Sequence, residues 1–251
     1  MTGQRPPYPT NYYTRLRKES NFGCAACGVP FPVAIHHIEG YEENIVAPLE
    51  ELILLCKRDH ELADDDKIAK EILYGLKKKP FNVDRASHNF SIPQSKQMVA
   101  HIGNNTFIET PFPIVINKEV IVGIKREKGQ ILVSTKFYDK NDKLHLELID
   151  NVWSATTDAF DVRYSERTKQ ADVWVAIKMN DQEPYLDIKI IGGELHIEGN
   201  FYRNGNLYTI NKDGVFHIRR NLLTMTGCTL DRCTYGIVID GEQTIIGAAR
   251  I

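Results

Sequence analysis

The chain has 251 residues, of which 42% are hydrophobic and 25% charged, a composition that predicts a globular protein of two domains and excludes a fibrous or disordered one. Its formal net charge of −2 at pH 7 does not predict a nucleic-acid-binding protein, although a local basic cleft is compatible with that value.

The N-terminal segment lacks the apolar stretch of a secretory signal, and no apolar run approaches the ~20 residues that a membrane span requires. Five cysteines, an odd number, favour a reducing cytoplasm over a disulfide framework. We therefore expect a cytoplasmic protein that does not enter a membrane.

Cysteine and histidine clusters dominate the first part of the chain. Four clusters follow one another: Cys24-Ala-Ala-Cys27, Ile35-His36-His37-Ile38, the apolar run that ends in Leu54-Leu55-Cys56, and Asp59-His60. Residues 64–79 then show apolar side chains at helical spacing, with acidic residues at the start and lysines at the end that complement the helix dipole. This pattern predicts a helix over 64–79 that closes an N-terminal domain of residues 1–80.

The rest of the chain is predicted to be a linker followed by a β-rich domain. Residues 81–105 are mostly polar and show no sustained period, which indicates a linker. Short β-type runs separated by turn-forming residues predict an all-β domain over 106–251. A 21-residue interval relates Leu195, Phe216 and Ile237 and favours a short parallel β-helix, a solenoid whose open ends could mediate formation of a homo-oligomer. An antiparallel β-sandwich is the alternative, and either makes the fold class α+β.

Three cysteines have the spacing of a structural zinc site. Cys24 and Cys27 form a Cys-x-x-Cys knuckle that can place two thiolates on one Zn²⁺, and Cys56 can supply a third. At the spacing expected for a fourth ligand the chain has Asp59, and a Cys₃Asp site is less common than Cys₄ or Cys₃His. Three alternatives are open: Asp59 completes the site, a nearby histidine completes it, or the site has lost its zinc.

The histidines suggest a second, chemically different site. His36 and His37 are adjacent, so on a strand their side chains point to opposite faces, and one can bind a metal ion while the other faces a substrate. His60 can return as a second metal ligand. A histidine that titrates near neutrality suits the activation of water, and a cation suits the charge that develops on phosphate, so the pattern points to phosphodiester hydrolysis. The remaining histidines are predicted to be structural or surface residues: His88, His101, His145, His196 and His217.

Taken together, these clusters resemble the HNH endonuclease family, the ββα-metal nucleases, in the variant that carries zinc-binding cysteines. The resemblance covers about residues 12–80 and implies a small zinc-stabilised ββα-metal domain. It implies that His36 and His60 bind the catalytic divalent ion, Mg²⁺, Mn²⁺ or another, and that His37 is the general base. The structural Zn²⁺ would then be held by the three cysteines together with Asp59.

Two positions depart from the family pattern. The asparagine in the middle of the motif falls at Glu51, which could orient His37 through a ring nitrogen but adds negative charge near DNA. Asn44 is the alternative for this position if the loop has a different register. The second departure is Asp59, where the family usually has a cysteine.

Basic residues near the motif are candidates for contacts with DNA. Lys57 and Arg58 stand just before His60 and could contact the phosphates that flank the cut, and Arg15 and Arg17 precede the first knuckle. No base-reading motif is visible, so we expect little sequence specificity from the N-terminal domain itself.

The sequence therefore predicts a cytoplasmic, divalent-metal-dependent DNA endonuclease with a β-rich second domain for recognition or assembly. Restriction or anti-phage defence is the setting that analogy with nucleases fused to recognition modules favours. The rival hypothesis belongs to another class: a zinc-bearing binding or assembly protein whose nuclease centre has decayed and whose β-domain is the working part.

Overall fold

The computed structural model of the chain consists of two compact units. It describes residues 8–9, 11–42, 45–92, 97–157, 159, 161–167, 172–179, 185–212, 217–218, 225–241 and 243–250. Unit 1 comprises Met1–His88 with Thr156–Arg163, and unit 2 comprises Asn89–Ala155 with Tyr164–Ile251. The predicted α+β class is confirmed, because strands predominate and the α-helices found among the described residues all lie in unit 1. In the same part of the chain, no helix is both long and apolar enough to cross a membrane.

Unit 1 contains a pair of antiparallel strands accompanied by helices. Its elements in chain order are α1 (Tyr12–Glu19), β1 (Val33–His37), a 3-10 turn (Leu49–Glu51), β2 (Leu52–Cys56), α2 (Lys57–Asp64) and α3 (Lys70–Lys78). β1 and β2 pair from Val33 opposite Cys56 to His37 opposite Leu52. The second strand therefore leads directly into α2.

β2 is buried on both faces and separates two hydrophobic clusters of unit 1. Ile53 and Leu55 pack into a cluster that includes side chains of α2 and α3. Leu52 and Leu54 point to the opposite face and pack with Leu16 of α1, because side chains alternate across a strand. The uninterrupted apolar run of β2 is thus explained by burial on both sides, as in the central strands of larger sheets.

The single helix predicted over 64–79 is wrong in its first part. α2 ends at Asp64 and α3 begins at Lys70, and in the turn between them Asp66 has φ 56°. This left-handed conformation is incompatible with a continuing α-helix, so the acidic run ends α2 instead of starting α3. As a result His60 and Asp64 lie on one short helix that the sequence did not predict.

The described elements of unit 2 are strands. β3 (Arg85–Asn89) leads into this unit, β10 (Val152–Thr156) ends at the first residue of the second segment of unit 1, and β11 (Asp161–Arg167) begins in unit 1 and ends in unit 2. The others are β4 (Val99–Ile102), β5 (Asn105–Ile108), β6 (Phe112–Ile116), β7 (Glu119–Glu127), β8 (Gln130–Tyr138), β9 (Leu144–Ile149), β12 (Asp172–Lys178), β13 (Tyr185–Ile191), β14 (Glu194–Arg203), β15 (Asn206–Ile210), β16 (His217–Ile218), β17 (Thr229–Asp231), β18 (Cys233–Asp240) and β19 (Gln243–Arg250).

These strands form two sheets in which most described neighbours are antiparallel. One sheet runs in the order β19-β18-β6-β7-β8-β9-β10, and the other in the order β11-β12-β13-β14-β4-β5-β17, with β15 beside β14. The parallel pairs that are described are β18-β6, β14-β4 and β17-β5. Tight hairpins connect many of the others, such as the turn at Lys128 and Gly129 between β7 and β8, where both residues have positive φ.

The predicted parallel β-helix is wrong, and the antiparallel alternative is closer to the structure. A solenoid would stack residues 21 positions apart in one sheet, yet Leu195 lies in β14 and Ile237 in β18, which belong to different sheets. Phe216, the middle member of the series, is outside the described residues. Apolar and polar residues alternate in any half-buried strand, so the repeat indicated strands without indicating how they connect.

The segment 81–105, predicted as a linker, contains regular structure. β3 and β4 lie within it, and β5 begins at its last residue. β4 pairs in parallel with β14, from Ala100 opposite Leu195 to Ile102 opposite Ile197. This strand has only four residues, and its partner is distant in sequence. Its neighbouring residues therefore contain little pattern from which the strand could be predicted.

Candidate functional site

Four donor groups converge where the first cysteine knuckle meets the end of β2. The thiol sulfurs of Cys24 and Cys56 lie 3.2 and 3.3 Å from Oδ2 of Asp59, and Cys27 Sγ lies 3.7 Å from Cys56 Sγ. All four ligand atoms lie within 4.8 Å of one another. We call this group the cysteine–aspartate cluster. It can hold a metal ion, and its donor set is compatible with structural zinc.

Local backbone structure explains how two of these cysteines reach the cluster. Cys24 N donates to Val29 O at 2.7 Å, and Gly28 N donates to Cys24 O at 2.8 Å, which closes a tight turn around the knuckle. Gly28 has φ 78°, a left-handed value that glycine adopts without a steric penalty. Ala25 N donates to Leu54 O at 2.9 Å, so the knuckle is tied to β2 beside Cys56.

Asp59 occupies the fourth position as a buried carboxylate. Burial alone raises the pKa of Asp59, but hydrogen bonds from Arg58 and from the three thiols outweigh it and lower that pKa to about 2. Arg58 Nε lies 3.0 Å from Oδ1, which leaves Oδ2 facing the sulfurs. Burial, the largest cause, raises the pKa of the Cys24 and Cys27 thiols, so metal binding would release their protons. Asp59, and not a histidine, thus stands at the fourth position.

A second group of donors lies between β1 and α2. His36 Nδ1 is 3.3 Å from Oδ1 of Asp64, and His60 Nδ1 is 2.9 Å from Oδ2 of the same carboxylate. The two imidazole rings meet edge to face with centroids 4.8 Å apart. These three residues form the histidine–aspartate cluster, whose ligand atoms also lie within 4.8 Å of one another.

Secondary structure brings these three side chains together. His36 is buried on β1 opposite Ile53 and faces α2, whereas the neighbouring His37 points to the other side of the strand. His60 and Asp64 are four residues apart on α2 and therefore share one helix face. Burial, and next the proximity of His60, lower the pKa of His36, which favours the neutral imidazole that binds metals.

His37 is held by tyrosines. Its Nε2 lies 2.9 Å from the hydroxyl oxygen of Tyr8, and its ring meets that of Tyr41 edge to face at 5.5 Å. Tyr8 is 29 positions away in sequence, and no motif pointed to it. The tyrosine hydroxyl restricts the rotation of the imidazole and so orients the ring nitrogens.

Although their side chains leave β1 on different sides, His36 and His37 both line one open cleft of about 480 Å³. Its lining includes the histidine–aspartate cluster, His37 and Tyr41, together with Glu39 and Lys70. Glu39 accepts from Lys70 Nζ at 2.9 Å and from the hydroxyl of Tyr74 at 2.8 Å, and these two bonds lower the pKa of Glu39. The cleft is therefore large enough for a phosphate group beside the donors and is connected to solvent.

No protein-family model, curated protein or solved structure matches the chain. The interpretation of the two clusters therefore depends on the chemistry and arrangement of their own residues.

The predicted orienting residue Glu51 lies at the end of the 3-10 turn. Its backbone carbonyl accepts from Ile38 N at 2.8 Å, which extends the β1–β2 pairing. The hydrogen bond described for Nε2 of His37 goes to Tyr8 and not to Glu51. Asn44, the alternative, lies outside the described residues.

Asp64 is a candidate ligand that lies outside the sequence motifs. In the helix predicted over 64–79 it stands at the first position, as a partner of the helix dipole. Had α2 been recognised, the spacing of four residues between His60 and Asp64 would have placed both on one face.

The predicted DNA-contacting residues occupy different environments. The side chains of Lys57 and Arg58 are 83% and 71% exposed at the start of α2, although Arg58 also binds Asp59. Arg15 is exposed on α1. Arg17, in contrast, is mostly buried and binds Asp161 through two nitrogens, at 2.9 and 2.8 Å. The structure thus gives Arg17 a stabilising role, since its guanidinium is committed to a buried carboxylate.

Proposed function

We propose that unit 1 is a divalent-metal-dependent endonuclease of the HNH, or ββα-metal, type that hydrolyses phosphodiester bonds of DNA. The observation that carries this proposal is the convergence of His36, His60 and Asp64 in an open cleft that also contains His37. A separate cysteine–aspartate cluster beside the cleft would hold structural zinc. One cluster would thus serve stability and the other catalysis.

The order of elements supports this proposal. Two antiparallel strands are followed directly by a helix, β1, β2 and α2, which is the order that the family's name describes. The histidine pair ends β1, and the closing histidine lies on α2. This order of strands, histidines and helix supports the proposal.

The donors of the histidine–aspartate cluster fit a divalent ion. Two imidazole nitrogens and one carboxylate oxygen are typical ligands of borderline ions such as Mn²⁺, Co²⁺ or Zn²⁺, whereas Mg²⁺ prefers a shell of oxygens. We therefore expect Mn²⁺ or a later ion to support activity better than Mg²⁺. When bound, the ion would supply positive charge that stabilises the charge developing on the phosphate and on the leaving oxygen.

His37 is the residue to which we assign the proton transfer. An imidazole titrates near neutrality and can accept a proton from an attacking water molecule. Its position on the other side of β1 from His36 lets it face the substrate while His36 faces α2. Tyr8 holds the ring through Nε2 and is a positioning residue in this scheme.

DNA would be bound by exposed basic side chains of unit 1. Lys57 and Arg58 begin the helix that carries His60, and Arg15 is exposed on α1. Such contacts to phosphate depend on charge and carry no sequence information. Restriction or anti-phage defence is the setting that we propose for a nuclease joined to a β-rich unit.

A nicking assay on supercoiled plasmid tests the proposal. Full-length protein would be assayed with Mg²⁺, Mn²⁺, Co²⁺ and Zn²⁺ in parallel, beside His37→Ala and the control His88→Ala. Loss of a general base lowers the rate by roughly 10²–10⁴-fold, so His37→Ala should lose nearly all cleavage while His88→Ala retains it. Equal cleavage by His37→Ala and the unmodified protein would refute the role of His37.

A second outcome separates the proposal from its rival. If no ion supports cleavage while the protein still shifts DNA in a gel, the result favours a zinc-bearing binding protein whose nuclease centre has decayed. The absence of both cleavage and DNA binding would refute the proposal that unit 1 is a nuclease and that DNA is its substrate.

A further inference from the structure

Unit 2 contains a third group of potential metal ligands, on the polar face of one sheet. His101 of β4 lies directly opposite His196 of β14 in the parallel pairing of these strands. Glu194 precedes His196 by two residues on β14, so its side chain emerges on the same face. The opposite face carries Ala100 and Leu195, which are buried. The three polar side chains thus stand together on a packed strand pair.

The distances between these side chains are short. His101 Nε2 is 3.0 Å from Oε2 of Glu194, and the rings of His101 and His196 stack with centroids 4.7 Å apart and 22° between their planes. One ligand atom from each residue lies within 4.8 Å of the other two. The side chains of His101 and Glu194 are 30% and 47% exposed, so an ion can reach them from solvent.

We propose that His101, Glu194 and His196 form a binding site for one Zn²⁺ ion in unit 2, distinct from both clusters of unit 1. Two imidazoles and a carboxylate are a donor set that zinc accepts, and three protein ligands leave a fourth position to water. Ions such as Mg²⁺ and Ca²⁺ are disfavoured here because they prefer oxygen ligands.

Neighbouring groups prepare His101 for this role. The hydroxyl of Thr106 on β5 lies 3.3 Å from Nδ1 of His101, which leaves Nε2 directed toward Glu194. An outer hydrogen bond of this kind fixes the ring orientation of metal-binding histidines. On the other side of β14, strand β13 places Lys189 opposite His196. The ammonium group of Lys189 lies 3.0 Å from a carboxylate oxygen of Asp187, which offsets the positive charge of the lysine near the site.

An ordinary ion pair explains the cluster less completely. A partly exposed His–Glu pair contributes little, about 0–1 kcal/mol, and does not require a second imidazole. Two stacked imidazoles repel each other when both are protonated, whereas a shared cation turns their proximity into a favourable arrangement. Ligands of a tetrahedral zinc lie about 3.3 Å apart, so small rotations of these half-exposed side chains complete the site.

Zinc counting on the full-length protein tests the site. The protein would be dialysed against buffered Zn²⁺ at micromolar concentration, and bound metal measured per chain. If both clusters of unit 1 also bind zinc, we expect about three ions in the unmodified protein and about two in His101→Ala or His196→Ala. His36→Ala should lose an ion independently, so failure of the nuclease proposal and failure of this one are distinguishable. His88→Ala is the control that should lose none.

Histidine NMR provides a second readout, in which zinc binding is followed in the unmodified protein. Added Zn²⁺ should shift the imidazole resonances of His101 and His196, assigned from the two variants, but not those of His145. Thr106→Val removes only the outer hydroxyl and should weaken binding roughly 10-fold or more. Unchanged zinc content in both alanine variants, or unmoved resonances, would overturn the proposal and leave a stacked ion pair.

Discussion

Replacement of Arg17 by methionine should destabilise unit 1. Nε and Nη2 of Arg17 donate to the two carboxylate oxygens of Asp161 at 2.9 and 2.8 Å. Asp161 is only 2% exposed, so water cannot replace these bonds when the guanidinium is removed. Arg163 Nε remains bound to Oδ2 at 2.8 Å and offsets part of the loss.

The expected magnitude follows from this geometry. Removal of one partner from a buried ion pair costs about 3–5 kcal/mol. Because Arg163 still binds one of the two oxygens, we expect the lower end, about 3 kcal/mol of the free energy of unfolding. Urea unfolding followed by helical circular dichroism reports on unit 1, since the helices of the described residues lie there.

Two further variants show whether the loss of stability comes from this ion pair or from the removal of any positive charge on α1. Arg15→Met removes an exposed guanidinium from the same helix and should change stability by less than about 0.5 kcal/mol. Arg17→Met combined with Asp161→Leu removes both charges and should recover much of the loss, because no unpaired carboxylate remains. Equal unfolding midpoints for Arg17→Met and Arg15→Met would refute the reasoning.

Three other predictions concern the clusters of unit 1. Asp59→Cys should raise the retention of zinc against a chelator and Asp59→Ala should lower it, because thiolate is the stronger ligand; equal retention would exclude Asp59 from the site. Asp64→Asn should raise the Mn²⁺ concentration needed for plasmid cleavage roughly 10-fold or more while the cysteine–aspartate cluster keeps its metal, and an unchanged Mn²⁺ dependence would contradict ligation by Asp64. Tyr8→Phe should lower kcat roughly 10-fold with little change in KM, and a change confined to KM would argue against its role in positioning His37.

The local part of the site could be predicted from sequence, and the non-local part could not. Cys24-x-x-Cys27 and Cys56-x-x-Asp59 could be predicted as ligand pairs because each spacing acts over a few residues, with Asp59 as one of three alternatives for the fourth ligand, and the structure brings the two pairs together. Arg17 was assigned to DNA because its partner lies 144 positions away, beyond the reach of any local pattern. Asp64 was missed because the helix boundary was misplaced.

The same distinction applies to the fold. Alternating apolar residues predicted the strands of unit 2, since the residues of a strand that face the core are apolar whichever strand lies beside it. They did not predict which strands pair, because pairing depends on hairpin turns and on contacts between distant segments. His101 and His196 were therefore predicted to be ordinary surface or structural residues, and only the parallel pairing of β4 with β14 reveals that they are opposite each other.

Consecutive residues on α2 belong to different clusters, Asp59 to the cysteine–aspartate cluster and His60 to the cleft. A helix of eight residues is too short to persist by itself, so the group that secures its first turn also determines where the cleft ligands stand. If the cysteine–aspartate cluster holds zinc and the cleft holds a second ion, as we propose, zinc should be acquired before the cleft ion. In that case the zinc supply of the cell, and not the abundance of the cleft ion, would limit the fraction of protein molecules whose cleft can bind its ion.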